Sequence, residues 1–158
     1  MKQSMFARTF AACCVAFGLL YASGFRWYSF PTAGMEPTLP KGSHAVGHLT
    51  ESYRSHIERF QIAIYIPRES PNQLYAKRVI GLPGEHVAVT SKGITINGAS
   101  LALPSSVNVA GLGVKECDVA VPKDCVFVLG DNTARSADSR YVGPIPTQNV
   151  VGRILFKK

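Results

Sequence analysis

Alternating apolar and polar positions dominate the chain after its first 30 residues, and this pattern predicts β-strands. Residues 60–66 alternate weakly, whereas residues 126–129 form a continuous apolar run typical of a buried strand. Helical periodicity is weak beyond the N-terminal segment, and its best candidate is a short polar stretch at 50–58. Short β-rich runs between turn residues predict further strands at 74–80, 85–90, 93–96, 99–103 and 150–156. We therefore expect an all-β barrel or sandwich with few short helices.

The N-terminal segment has a different pattern, a long apolar run bounded by basic and aromatic residues. The run covers residues 9–25, with Trp27 and Tyr28 beyond it, and it is just long enough to span a bilayer when Met5 and Phe6 are included. A cleaved signal peptide is the rival interpretation, because small residues at 22–24 suit a leader protease. We favour a retained transmembrane helix within residues 1–30, with a single domain over residues 31–158 outside the cytoplasm.

Charge and cysteine content narrow the function further. The net charge of +7 is spread over 158 residues without a basic run, which argues against nucleic-acid binding and favours a surface near anionic lipid. Cys117 and Cys125 predict a disulfide if the domain is exported, and two buried thiols are the alternative. No metal site or cofactor is expected, since Cys-x-x-Cys is absent and the four histidines lack evident ligand partners.

The strand predicted at residues 74–80 contains adjacent basic residues, Lys77 and Arg78. Neighbouring side chains of a strand point to opposite faces, so if Arg78 faces water, Lys77 faces inward. A buried lysine is costly unless it is neutral or paired. The commoner fate of a strand lysine is to extend its ammonium to water at an edge, and this interpretation stays open.

Two polar stretches are further candidates for chemistry. Residues 130–140 follow a buried strand and are rich in Asp, Asn, Ser and Arg, which predicts a structured loop in which Asp138 and Arg140 pair and Ser136 presents its hydroxyl. A solvated turn is the alternative. Residues 31–40 contain three prolines and directly follow the apolar segment.

Together these stretches resemble the type I signal peptidases, membrane endopeptidases that use a Ser/Lys dyad to remove leader peptides. Tyr75-Ala76-Lys77-Arg78-Val79-Ile80-Gly81-Leu82-Pro83-Gly84-Glu85 is similar to the family's Lys-Arg-x-x-Gly-x-Pro-Gly-[Asp/Glu] box. Residues 130–140 resemble its Gly-Asp-Asn…Ser-x-Asp-Ser-Arg box, and Met35-Glu36-Pro37-Thr38-Leu39 resembles the Met-x-Pro-Thr-Leu that follows the nucleophile. Residues 104–124 match poorly, and Thr133 stands where the family usually has Arg.

The resemblance implies an all-β domain on the outer face of the bacterial inner membrane, acting on signal-peptide-bearing exported proteins or pilin precursors. Lys77 would be the general base, with Ser136 orienting it. Asp138 and Arg140 would brace the loop, and Thr32 would help to bind the oxyanion. Burial would depress the pKa of Lys77, so that its amine accepts a proton at neutral pH.

One departure changes the expected activity, because the family's nucleophilic serine falls on Gly34. Glycine has no side chain with which to attack a carbonyl. The chain is therefore interpreted as an endopeptidase of this family in which the nucleophile is missing, or as a non-catalytic relative that binds or assembles exported proteins or pili. A third possibility is that a nearby hydroxyl, Thr32, has taken over.

Overall fold

The protein is built from two antiparallel sheets, as a computed structural model of residues 2–157 describes it. One sheet has seven strands in the order β1-β2-β11-β3-β4-β9-β10, and the other has four in the order β7-β6-β5-β8. The all-β prediction is therefore confirmed. The strands are β1 (Phe25–Ser29), β2 (His44–Leu49), β3 (Ile62–Tyr65), β4 (Tyr75–Gly81), β5 (His86–Thr90), β6 (Gly93–Ile96), β7 (Ala99–Ser100), β8 (Cys117–Ala120), β9 (Cys125–Leu129), β10 (Ile145–Pro146) and β11 (Val150–Lys157).

The helices are few, and only the N-terminal one is long. Helix α1 covers Lys2–Ala22 and α2 covers Ser139–Val142. Within the described chain, no helix reaches the combination of length and hydropathy that a membrane span requires. The stretch predicted as helical at 50–58 forms a 3-10 helix of five residues. The 3-10 helices are Glu51–Ser55, Val109–Val114 and Thr147–Asn149.

The structure adds strands that the sequence pattern did not predict, namely β1, β2, β8 and β10. Strand β2 was not predicted because it contains Gly47, and a glycine weakens a strand pattern. A Cβ at this position would lie 2.6 Å from Ile64 Cδ1 and 2.7 Å from Tyr28 Cε2. The glycine therefore lets neighbouring side chains pack directly onto the strand.

The core continues from one sheet to the other around β4, β5 and β9. Ile80, Val87 and Phe127 are fully buried within one apolar cluster. At the end of β4, a Cβ on Gly81 would lie 2.5 Å from Val87 Cγ2, so only glycine permits this close approach. Strand β4 pairs with β9 from Arg78, which is opposite Leu129. The polar stretch after Leu129 therefore leaves the sheet beside Lys77.

The predicted disulfide between Cys117 and Cys125 is absent, since both residues are free thiols. Cys117 pairs with Val89 in the four-stranded sheet, whereas Cys125 pairs with Pro146 in the seven-stranded sheet. Both side chains contribute to the same apolar cluster between these sheets. They behave as small apolar side chains of the core, which is the alternative that the sequence had left open.

Candidate active site

The three stretches singled out in the sequence meet in one groove. Its cavity volume is about 580 Å³. Gly34 enters from the proline-rich segment, Lys77 from β4 and Ser136 from the loop after β9. Apolar side chains make up much of the remaining wall, among them Phe30, Met35, Ile64, Leu74 and Ile154.

Gly34 lies directly opposite the lysine. A Cβ built on Gly34 would be 3.2 Å from Lys77 Nζ, 3.5 Å from the carbonyl oxygen of Arg135 and 3.6 Å from Ser136 Oγ. The position expected for the nucleophile therefore faces the position expected for the base. The contact with Nζ is tight, but it involves the far end of a flexible side chain.

Lys77 is buried, with only 7% of its surface exposed, so the alternative in which its ammonium extends to water does not hold. Burial lowers the pKa of its ammonium group below the ordinary value, against the opposing effect of Asp138 and Asp131. The two carboxylates do not reverse this direction because each is engaged by an arginine. A lysine with a lowered pKa has more of the neutral amine that a general base requires.

The loop after β9 is held by the predicted pair of Asp138 and Arg140. Arg140 Nε donates to Asp138 Oδ1 at 2.8 Å and one terminal nitrogen donates to Oδ2 at 3.0 Å, with both side chains fully buried. Asp138 also accepts from the backbone N–H of Gly130 at 3.1 Å. Because Arg140 donates further to the carbonyl of Thr133 at 2.6 Å, one ion pair fixes both ends of the loop.

A second buried ion pair was missed, and it shows that the condition of a water-facing Arg78 is not met. Arg78 does not face water: it is 8% exposed, and its Nε donates to Asp131 Oδ1 at 2.7 Å. Another nitrogen donates to Asp131 Oδ2 at 2.5 Å, and Thr38 Oγ1 donates to that same oxygen. The pair ties β4 to both polar stretches. One feature of the sequence pointed to this ion pair: Arg78 directly follows Lys77 in the stretch that resembles the family's Lys-Arg motif.

Ser136 and Thr32 reach the groove, but their expected roles stay predictions. Ser136 Oγ is buried and has no hydrogen-bond partner among the described residues, so no bond to Lys77 is seen. Thr32 is exposed and lines the groove, yet it is not one of the three nearest contacts of the Gly34 Cβ position. Among the described side chains, no three of His, Cys, Asp and Glu gather in a metal-binding arrangement.

The chain belongs to the signal peptidase family, peptidase S26, whose model matches residues 2–157. It is 33% identical over 134 residues to signal peptidase I of Leptolyngbya laminosa and 32% identical over 139 residues to signal peptidase I V of Bacillus subtilis. Each match covers 80% of this chain. A crystal structure of a signal peptidase I from Enterococcus faecalis matches with 34% identity and a TM-score of 0.54, covering 63% of this chain and 97% of that one.

The lengths of the relatives differ from that of this chain. The match covers 82% of the Bacillus subtilis protein but 65% of the Leptolyngbya laminosa protein, which is just under two thirds of it. Family and fold are therefore established, while activity, substrates and partners are inferred below from the site.

Proposed function

We propose that this chain binds the leader peptides of exported proteins in a signal-peptidase groove and, as written, does not hydrolyse them through a Ser/Lys dyad. One observation carries the proposal: Gly34 presents no side chain where a Cβ would lie 3.2 Å from Lys77 Nζ. The chain thus has the lysine, the loop after β9 and the groove that an endopeptidase of this family would use, but it lacks the attacking hydroxyl. Loss of a nucleophile leaves only the residual catalysis of binding and oxyanion contacts, roughly 10³–10⁴ over water in a protease studied in this way.

Neither of the nearby hydroxyls is a good replacement for the nucleophile. Ser136 Oγ is buried and makes no hydrogen bond to Lys77 within the described structure. Thr32 is exposed and lies farther from the Gly34 Cβ position than the 3.6 Å that separates this position from Ser136 Oγ. A base can activate only a hydroxyl within hydrogen-bond reach.

The groove and the N-terminal segment support a membrane setting. The groove is lined mainly by apolar side chains, which suits an extended leader peptide with small residues near its cleavage site. Helix α1 exposes Phe17, Leu19 and Leu20, a surface that favours contact with lipid. We place the domain on the outer face of the bacterial inner membrane, with exported proteins or pilin precursors as its partners and conjugation as one setting. A single membrane pass by residues 1–30 stays a prediction.

The decisive test restores the nucleophile with Gly34→Ser. The full chain in detergent is mixed with a pre-protein that carries an Ala-x-Ala site, and both binding and cleavage are measured. We expect binding without appreciable turnover for the unaltered chain and specific cleavage for Gly34→Ser. Gly34→Ala is the matched control, because it adds the same Cβ without the hydroxyl. Adding Lys77→Ala to Gly34→Ser should lower cleavage by roughly 10²–10⁴.

Three outcomes distinguish a binding protein from an active endopeptidase. Appreciable turnover by the unaltered chain would replace the binding role with an active endopeptidase. A Gly34→Ser variant that binds but stays inert would show that the pocket has diverged beyond its nucleophile, and the binding role would stand alone. If neither the unaltered chain nor the Gly34→Ser variant binds the pre-protein, the proposal is refuted.

A further inference from the structure

The groove presents an amine with which no acidic side chain of the described residues forms an ion pair. Lys77 is 7% exposed, and the carboxylates that act on it electrostatically are those of Asp131 and Asp138. Asp131 accepts two hydrogen bonds from Arg78, and Asp138 accepts two side-chain hydrogen bonds from Arg140. Neither carboxylate forms an ion pair with Lys77 in the described part of the chain. The lysine therefore lies in a buried site whose negative charges are already paired.

The approach to this amine passes Gly34. A Cβ there would stand 3.2 Å from Nζ, so any larger side chain covers the face of the amine that glycine leaves uncovered. On another side, the ring centroid of Tyr75 lies 6.0 Å from Nζ. Both residues line the cavity of about 580 Å³, which is large enough for a small carbonyl compound beside the amine.

We propose that Lys77 Nζ is itself a nucleophile and that the groove is a covalent site for aldehydes, which it binds as imines. Desolvated lysines are activated as nucleophiles by burial away from counter-charges, and the ordinary reaction of such an amine with a carbonyl is Schiff-base formation. The site uses the groove of the proposed function, but it does not require recognition of a leader peptide.

The reaction balances without an added oxidant or reductant. The lone pair of Nζ attacks the aldehyde carbon while the carbonyl π electrons move to oxygen. Transfer of a proton from nitrogen to oxygen gives a carbinolamine. Loss of water then forms the C=N bond of the imine, and hydrolysis reverses both steps.

Reductive trapping tests the site on the intact full chain in detergent. Propionaldehyde and cyanoborohydride are added at pH 7, so that hydride reduces each imine to a stable secondary amine, and the label at each lysine is followed by peptide mass spectrometry. Lys92, exposed in the turn between β5 and β6, is the internal reference. Each unit by which the pKa of an amine is lowered gives about ten times more neutral amine at this pH. We expect Lys77 to be labelled faster than Lys92 in the folded chain.

Controls show whether the fold and Gly34 create this selectivity. The ratio of Lys77 to Lys92 labelling should fall to about one in denaturant, and Gly34→Val, which covers the amine, should reduce labelling of Lys77 alone. Equal or slower labelling of Lys77 in the folded chain, or an unchanged rate in Gly34→Val, would overturn the proposal. A bound leader peptide should slow labelling of Lys77 but not of Lys92. If labelling is selective but not slowed, the aldehyde site stands and leader binding fails.

Discussion

In the proposed function Gly34 and Lys77 form a mismatched pair, because Gly34 presents no side chain at the position that faces the lysine amine. Burial of Lys77 has a cost, since placing a charged or neutralised amine among apolar strands opposes folding. In an active dyad this cost serves catalysis. In the proposed function the same cost is present without the nucleophile, so the stability of the fold should improve when the amine is removed.

Replacing Lys77 with Met tests this cost, because Met keeps a long flexible side chain and removes the charge. The folded pKa of Lys77 lies below the ordinary 10.5, so between these two values the unfolded chain binds more protons and stability rises with pH. Lys77→Met should therefore raise the free energy of unfolding at neutral pH. The gain should shrink by at most about 1.4 kcal/mol per pH unit as the pH approaches 10.5.

Urea unfolding of both proteins between pH 6 and pH 10 measures this difference. Lys92→Met is the control for general effects of charge removal, since Lys92 is exposed. A difference between Lys77→Met and the unaltered chain that does not vary with pH would contradict the lowered pKa.

At the scale of elements, the loop after β9 is held from two sides. The ion pair of Asp138 and Arg140 holds it from within, and the 3-10 helix Val109–Val114 holds it from outside. Arg140 donates to the carbonyl of Gly111 at 2.9 Å, and Gly111 donates to Thr133 Oγ1 at 2.9 Å. Thr133 therefore connects the 3-10 helix Val109–Val114 to the loop that carries Ser136.

Asp138→Asn should break the Asp138–Arg140 ion pair that holds the loop after β9 from within. Removing one partner of a buried ion pair leaves the other charged and uncompensated, which typically costs about 3–5 kcal/mol of stability. The exposed pair of His86 and Asp118, at 2.7 Å, offers the contrast: Asp118→Asn should change stability by less than about 1 kcal/mol. Thermal or urea unfolding compares the two variants, and similar losses in both would argue that the buried pair is not the brace.

Gly111→Ala should disturb the contact between the 3-10 helix Val109–Val114 and the loop after β9. The added Cβ would lie 2.2 Å from the backbone nitrogen of Ala134 and 2.5 Å from the carbonyl carbon of Thr133, so backbone must move. Overpacking of this kind costs roughly 1–3 kcal/mol. In the Gly34→Ser background, cleavage should fall as well because the loop carries Ser136. Val114→Ala, at an exposed position of the same 3-10 helix, is the matched control and should leave both stability and cleavage unchanged.

How far the sequence predicts this molecule depends on the range of the interactions involved. The strand at 74–80 follows from local pattern, and the Asp138–Arg140 pair follows from a spacing of two residues. Alternation placed Lys77 inward only if Arg78 faced water, and that condition fails because Arg78 pairs with Asp131, a residue 53 positions away. Likewise, the 3-10 helix at 109–114 has no periodicity of its own and is positioned by its hydrogen bonds to the loop.

At the scale of the whole molecule, the two sheets share one apolar cluster, and both cysteines of the domain contribute to it. Cys125 is 8% exposed and Cys117 is partly buried against the same cluster. Burial raises the pKa of both thiols, which lowers the fraction of reactive thiolate. The thiols therefore report on the integrity of the interface between the sheets.

Alkylation without reductant tests this arrangement in a variant whose exposed N-terminal cysteines are removed by Cys13→Ser and Cys14→Ser. We expect slower alkylation of Cys125 in the folded protein than in the unfolded one, because the residue is only 8% exposed and burial raises the pKa of its thiol. Unfolding in denaturant should then expose two alkylatable thiols in each molecule. A protein that takes up no label after unfolding would contain the disulfide that the sequence predicted. The structure's assignment of Cys117 and Cys125 as free thiols would then be wrong. If Cys125 reacts in the folded state as fast as in the unfolded state, the two sheets do not enclose it, and the single shared core would have to be abandoned.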